Sequence, residues 1–175
     1  MVNARYTHVT IVADELEEAV QFYGDVLGMD QIPTPNWDLP IQWVGCGNLQ
    51  LHLVETEANI PEFHHFAVHV DDLEHVYEAV KSHDSAEFEV LEQYVHGGYE
   101  DGDPPVYYLP TGTVQMYIRD PTGNMIEVNY PEVDELDTEI ITNLVERDDV
   151  SAPEPGEPSS DIYGEWGVQP RKSDD

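Results

Sequence analysis

Two histidines and one glutamate are the residues of this chain whose types and placement could do chemistry. His8 and His65 each open a stretch of alternating residues, and Glu127 lies within a third. Taken singly, a strand histidine is most often a half-buried residue with a hydrogen-bond partner; the chemical case rests on the three together. In residues 125–129, Met125, Glu127 and Asn129 share one strand face and Ile126 and Val128 the other. That parity turns Glu127 inward, where an unneutralised carboxylate costs several kcal/mol. No Lys or Arg falls on an inward strand face to neutralise it. A divalent cation meets the same demand, and two imidazoles with one carboxylate form the facial ligand set that suits Fe(II).

The elements that must carry these residues occur as a repeat. His8-Val9-Thr10-Ile11-Val12-Ala13-Asp14-Glu15-Leu16-Glu17 is echoed by His65-Phe66-Ala67-Val68-His69-Val70-Asp71-Asp72-Leu73-Glu74, and the offset from His8 to His65, Asp14 to Asp71 and Leu16 to Leu73 is 57 throughout. Each copy reads as a strand, an Asp at its end and an amphipathic run, which makes two copies of one small βα-containing module. In the first copy, residues 6–13 are the strand, with His8, Thr10 and Val12 on one face. Asp14 can cap the helix that follows, in which Leu16, Ala19, Val20, Tyr23, Val26 and Leu27 recur at helical spacing until Gly28. Pro33, Pro35 and Pro40 mark a loop. Residues 41–45 and 49–55 form a hairpin around Gly47-Asn48 that sets Gln50 and His52 opposite Leu49, Leu51 and Leu53.

In the second copy Leu73, Val76, Tyr77 and Val80 carry the helix, and residues 88–91 a further strand. Residues 94–112 are a Gly-, Tyr- and Pro-rich excursion of a length that is usually functional. Residues 114–119 and 125–129 are strands on either side of an Asp120-Pro121-Thr122-Gly123 turn. The spacing of Leu136, Ile140, Ile141, Leu144 and Val145 predicts a helix over 131–147. Residues 148–175 form an acidic tail, mostly disordered, from which Ile162, Tyr163 and Trp166 could dock on the body or on a neighbouring subunit.

Composition narrows the function classes. There are 37 acidic residues against six basic ones, a formal charge of −31, and 23 of the acids lie in residues 1–130. Self-repulsion on this scale is relieved in salt, whose Debye length is about 3 Å at 1 M, so the chain reads as adapted to high intracellular salt. Nucleic acid is disfavoured, because only Arg5, Lys81, Arg119, Arg147, Arg171 and Lys172 could neutralise phosphate. Cys46 stands alone, so neither an intramolecular disulfide nor a cysteine-pair metal site is available. The strand pattern begins within a few residues of the start and no apolar run approaches bilayer thickness, so the expectation is a cytoplasmic protein without a membrane partner.

The repeat, together with Asp120-Pro121-Thr122-Gly123-Asn124-Met125-Ile126-Glu127, resembles the vicinal oxygen chelate superfamily over roughly residues 5–130. That superfamily includes glyoxalase I, fosfomycin-resistance enzymes, bleomycin-resistance proteins, methylmalonyl-CoA epimerase and extradiol ring-cleaving dioxygenases. The resemblance implies an α+β fold in which two tandem βαβββ modules form a curved, mixed or antiparallel sheet shaped as a cup. The domain would span 1–130, with modules at about 5–56 and 62–130. By position it makes His8, His65 and Glu127 the metal ligands. It gives His52 two possible roles, a fourth ligand as in glyoxalase I or a proton-handling group beside the metal as in the extradiol enzymes. Tyr117 matches a tyrosine those enzymes place at the substrate, and residues 116–123 resemble much of their signature. The signature's upstream histidine falls near Tyr108 here, which leaves His96 as the candidate for its task.

Charge then chooses among substrates. Anionic substrates call for several Lys or Arg, and only Arg119 is near the proposed site, so a neutral or weakly acidic aromatic diol fits better. Trp43, Tyr107, Tyr108 and Tyr117 are candidate walls, with ordinary core packing as the alternative, and His69 shares the face of His65 as a lining residue. His64, His75 and His83 read as surface. The expectation is a metal-dependent enzyme, an extradiol-type dioxygenase ahead of a glyoxalase-type lyase or isomerase. Fe(II) is the favoured cofactor, and Mn, Zn, Ni or Co are possible. A metal-free binding protein of the bleomycin-resistance kind is the alternative of a different class. The partner expected is a small-molecule substrate, with a second copy of the chain as a further candidate.

Overall fold

The computed structural model describes residues 6–91, 102–151 and Tyr163, so His96, Ile162 and Trp166 lie outside the described residues. The repeat holds to the residue. Strands β1 (His8–Ala13) and β5 (His65–His69) both begin on their histidine, and helices α1 (Leu16–Leu27) and α2 (Leu73–Ser82) both begin on the leucine at the same offset. The remaining strands are β2 (Gln31–Ile32), β3 (Ile41–Cys46), β4 (Leu49–Glu55), β6 (Glu87–Phe88), β7 (Val106–Tyr108), β8 (Val114–Arg119), β9 (Met125–Tyr130) and β10 (Leu144–Glu146). They form a four-stranded sheet in the order β1-β4-β3-β2 and a six-stranded sheet in the order β10-β7-β8-β9-β5, with β6 also on β8. In both, the strand that opens the module lies beside the strand that closes it. The architecture is thus α+β, built among the described residues of two α-helices and two mixed sheets.

By contacts the chain divides into two compact units. The first comprises Met1–His65, Ala79–Glu87 and Arg119–Met125; the second comprises Phe66–Glu78, Phe88–Ile118 and Ile126–Asp175. In the first unit, α1 buries Ala19, Phe22, Tyr23 and Val26, the stripe that 3.6-residue periodicity dictates. It lies against β3 and β4, whose Val44, Leu51 and Leu53 complete that core. Gly28, at φ 63°, ends the helix in the left-handed conformation, and the N–H groups of Gly28 and Met29 donate to the carbonyls of Gly24 and Tyr23. β1 runs parallel to β4 with His8 opposite Gln50 and Thr10 opposite His52, and β3 runs antiparallel to β4 with Trp43 opposite His52. In the second unit, Leu73, Val76 and Tyr77 of α2 are buried, as are Val106, Tyr107, Met116, Ile126 and Val128 of the sheet.

The turn after β8 is a heavily bonded joint of the first unit. The buried Asp120 carboxylate accepts from the Tyr23 hydroxyl at 2.9 Å, from the Asn124 side chain at 2.7 Å, and from the backbone N–H groups of Asn124 and Thr122. Asn124 Nδ2 also donates to the Val12 carbonyl, and Asp14 N–H to Thr122 Oγ1, so β1 is fastened to this turn.

Several expectations are corrected. Asp14 does not cap α1: the N-cap position is Glu15, the Leu16 N–H donates to Glu55 Oε2, and Asp14 Oδ1 accepts from Ala58. The strand expected at 88–91 stops at Phe88, because the Leu91 N–H turns to the Tyr107 hydroxyl instead of a ladder. The excursion of 94–112 contains the strand β7. His83 is half-buried, its ring edge-on to Phe22 at 5.6 Å. The C-terminal helix over 131–147 is replaced by a single 3-10 turn at Val133–Glu135 and by β10, which pairs parallel with β7. Thr138, Ile140, Ile141 and Thr142 are β-branched and hold helix poorly. Leu144 and Val145 meet Val106 and Tyr107 at the edge of the sheet, and that pairing wins.

Candidate metal centre

In the first unit β1 and β4 bring His8 and His52 together. Their rings stack with centroids 4.2 Å apart and 11° between planes. The indole of Trp43, on β3, stacks on His52, also at 4.2 Å, with 2° between planes. His8 is exposed and His52 is buried, which lowers the His52 pKa through desolvation first and the neighbouring His8 second. His52 Nε2 donates to Gln50 Oε1 at 3.0 Å, a tautomer that leaves the lone pair on Nδ1. His65 lies on an exposed strand position, and its Nδ1 donates to the Phe63 carbonyl at 3.0 Å. A carbonyl that fixes the tautomer of one imidazole nitrogen and raises the basicity of the other is the support that metal-binding histidines use. His8 Nδ1 is 2.9 Å from Thr7 Oγ1.

In the second unit the half-buried Glu127 carboxylate is held from two strands. Oε1 accepts from Gln115 Nε2 at 3.0 Å and from Asn129 Nδ2 at 2.9 Å, and Oε2 accepts from the Tyr117 hydroxyl at 3.0 Å. These neutral donors meet part of the demand for a positive partner that parity alone assigned to a cation. Tyr117 is therefore tied to the carboxylate. Gln115 went unmarked in the sequence, although its alternation with Tyr117 on β8, the strand beside β9, would have revealed it.

The other residues singled out from the sequence are dispersed. Tyr107 is fully buried, edge-on to Tyr117 at 6.2 Å, and burial raises its pKa; it packs in the core. The hydroxyl of half-buried Tyr108 donates to Glu146 on β10. Arg119 Nη1 donates to the Gly123 carbonyl within its own turn. His69 Nε2 is 3.0 Å from Asp71 Oδ1 and its Nδ1 is 2.9 Å from the Tyr163 hydroxyl. Among the described residues no group of three or more His, Cys, Asp or Glu side chains is placed to hold a metal ion. Two buried polar side-chain atoms among them have no hydrogen-bond partner, Trp43 Nε1 and Asn129 Oδ1. Each belongs to a residue that touches a candidate ligand.

The family model of the Glyoxalase/Bleomycin resistance protein/Dioxygenase superfamily matches residues 5–128, and the chain belongs to that superfamily. A protein of the glyoxalase family from Bacillus anthracis is 25% identical, with a TM-score of 0.54 over 75% of this chain and 100% of its own. The fosfomycin resistance protein FosX from Listeria monocytogenes is 12% identical, with a TM-score of 0.55 over 77% of this chain and 98% of its own, a likeness of fold. A lactoylglutathione lyase from Agrobacterium tumefaciens is 23% identical, with a TM-score of 0.47 over 73% and 94%. No functionally curated protein matches the sequence. No helix among the described residues is long and apolar enough to cross a membrane.

Proposed function

We propose that this protein is a divalent-metal-dependent enzyme with His8, His65 and Glu127 as ligands, and that its substrate is a neutral or weakly acidic aromatic diol opened in the extradiol manner. The observation that supports the metal assignment is the Glu127 carboxylate, held in one orientation by Gln115, Tyr117 and Asn129. When bound, the metal, Fe(II) before Mn, Zn, Ni or Co, supplies Lewis acidity and open positions for two adjacent oxygens. Gln115, Tyr117 and Asn129 orient the Glu127 carboxylate. His52, whose charged form burial disfavours, is a neutral base suited to taking a proton from a hydroxyl. A scarcity of cations supports an uncharged substrate, since Arg119 is engaged with its own turn.

A second reading, a glyoxalase-type lyase or isomerase with His52 as fourth ligand, is favoured by the placement of His52 on the strand adjacent to that of His8. Metal analysis of protein purified in molar KCl tests the common ground. Bound divalent metal is expected, and its absence would instead support a metal-free binding protein. A catechol assay with Fe(II) and oxygen then separates the readings: ring cleavage gives a yellow product, and a lyase gives none.

A further inference from the structure

We propose that His69 and Asp71 build a phenol-binding subsite on the strand next to that of Glu127, and that Tyr163 of this same chain is its tethered occupant. The contacts define the chemistry. Asp71 offers a carboxylate that only accepts, so His69 Nε2 carries the proton and donates to Oδ1 at 3.0 Å. His69 Nδ1 is then the acceptor, and the Tyr163 hydroxyl donates to it at 2.9 Å. The phenol ring meets the imidazole edge-on, with centroids 5.4 Å apart and 75° between planes. His69 retains only 17% side-chain exposure, whereas Asp71 retains 57% and faces solvent. A phenol is recognised here by its two distinctive features, an acidic hydroxyl and an aromatic edge.

A second observation points to a ligand rather than to a packing contact alone. The Val70 N–H donates to the Asn129 carbonyl, so the end of β5 lies beside β9. Asn129 in turn binds Glu127 through Nδ2. Its Oδ1 is buried without a partner. A ligand with a second hydroxyl next to the first would bring the donor that this oxygen lacks, which Tyr163, a monophenol, does not. The inference therefore rests on the reading that the Glu127 strand face binds substrate, and it names that substrate as a hydroxylated aromatic for which Tyr163 stands in.

The test uses full-length protein freed of metal with a chelator, so that it reads the subsite and not turnover, and p-cresol, which is the tyrosine side chain itself. If the docked form is about 90% populated, removing the tether tightens binding about tenfold. Tyr163→Ala is expected to bind p-cresol about tenfold more tightly than the wild type, to shift the His69 imidazole resonance on binding, and to bind toluene no better than the wild type does. Tyr163→Phe, which keeps the ring and loses the hydroxyl, is expected to fall between the two. Unchanged p-cresol affinity in both variants overturns the proposal, as does binding that leaves His69 unmoved or that toluene reproduces. A protein that passes this test but binds no divalent metal would refute the metalloenzyme reading and leave the subsite standing.

Discussion

Three neutral donors make the Glu127 side chain an oriented carboxylate rather than a loose acid. Gln115 and Asn129 share Oε1 and Tyr117 takes Oε2, so losing one donor leaves the carboxylate in place but frees its rotation. Tyr117→Phe and Gln115→Leu are each expected to weaken divalent-metal binding by about 10- to 100-fold, the range found when such supporting partners are removed. Calorimetric titration checks this, and unchanged affinity in both would show that the donors serve packing only. On β4, burial and then His8 depress the His52 pKa. The sign follows from linkage. A histidine whose folded pKa lies below its unfolded value of about 6.5 leaves the stability intact above that pH and lowers it as pH falls through the folded pKa. In metal-free protein the His52 resonances should accordingly titrate below pH 6.5, and His52→Ala should flatten the acid limb of a stability–pH profile.

At the scale of elements, the joint around Asp120 decides whether β1 holds its place. Tyr23, Asn124 and Thr122 all donate to that carboxylate, and Asn124 reaches on to Val12, four residues along the strand from His8. Burial raises the pKa of Asp120 in spite of those donors, and raises that of Tyr23 strongly. Asp120→Ala would leave several buried donors without an acceptor and should cost about 3 kcal/mol in chemical denaturation, whereas Asp120→Asn should cost less. Most of this architecture was legible because the repeat of 57 is written in residue types, and both strands and both helices start where it says. The turn at residues 120–123 was legible from its Pro and Gly. What stayed hidden was long-range. Leu136 and Ile141 are buried as their spacing implied, but no local rule reveals that Leu144 and Val145 have a sheet edge waiting in β7. In the same way Gln115 and the pairing of Tyr163 with His69 depend on partners 12 and 94 residues away. The alternation of His8 and His52 along their strands was legible, and the two rings meet; the Gln115 donor that helps orient Glu127 was not.

The whole molecule is governed by charge. With −31 on 175 residues, folding gathers like charges that the unfolded chain keeps apart. We infer adaptation to high salt and predict that the thermal midpoint rises steadily from about 0.01 M to about 1 M KCl, as the Debye length shrinks from about 30 Å to about 3 Å. A midpoint indifferent to salt would show that the acids are locally compensated. β1 is an edge of the four-stranded sheet, with Val9 37% exposed on it and Tyr6, two residues before it, 84% exposed, and we propose this edge as the seat of a second copy of the chain. Light scattering in molar KCl is expected to give twice the chain mass.

The central claim is that His8, His65 and Glu127 bind one divalent ion, and a metal titration of the wild type against His8→Ala, His65→Ala and Glu127→Gln measures it directly. The expected result is one ion per chain in the wild type, with Trp43 fluorescence quenched by Co(II) or Ni(II) through its neighbour His52, and an affinity loss of about 100-fold or more in each variant. Wild-type affinity retained in any of the three would contradict it.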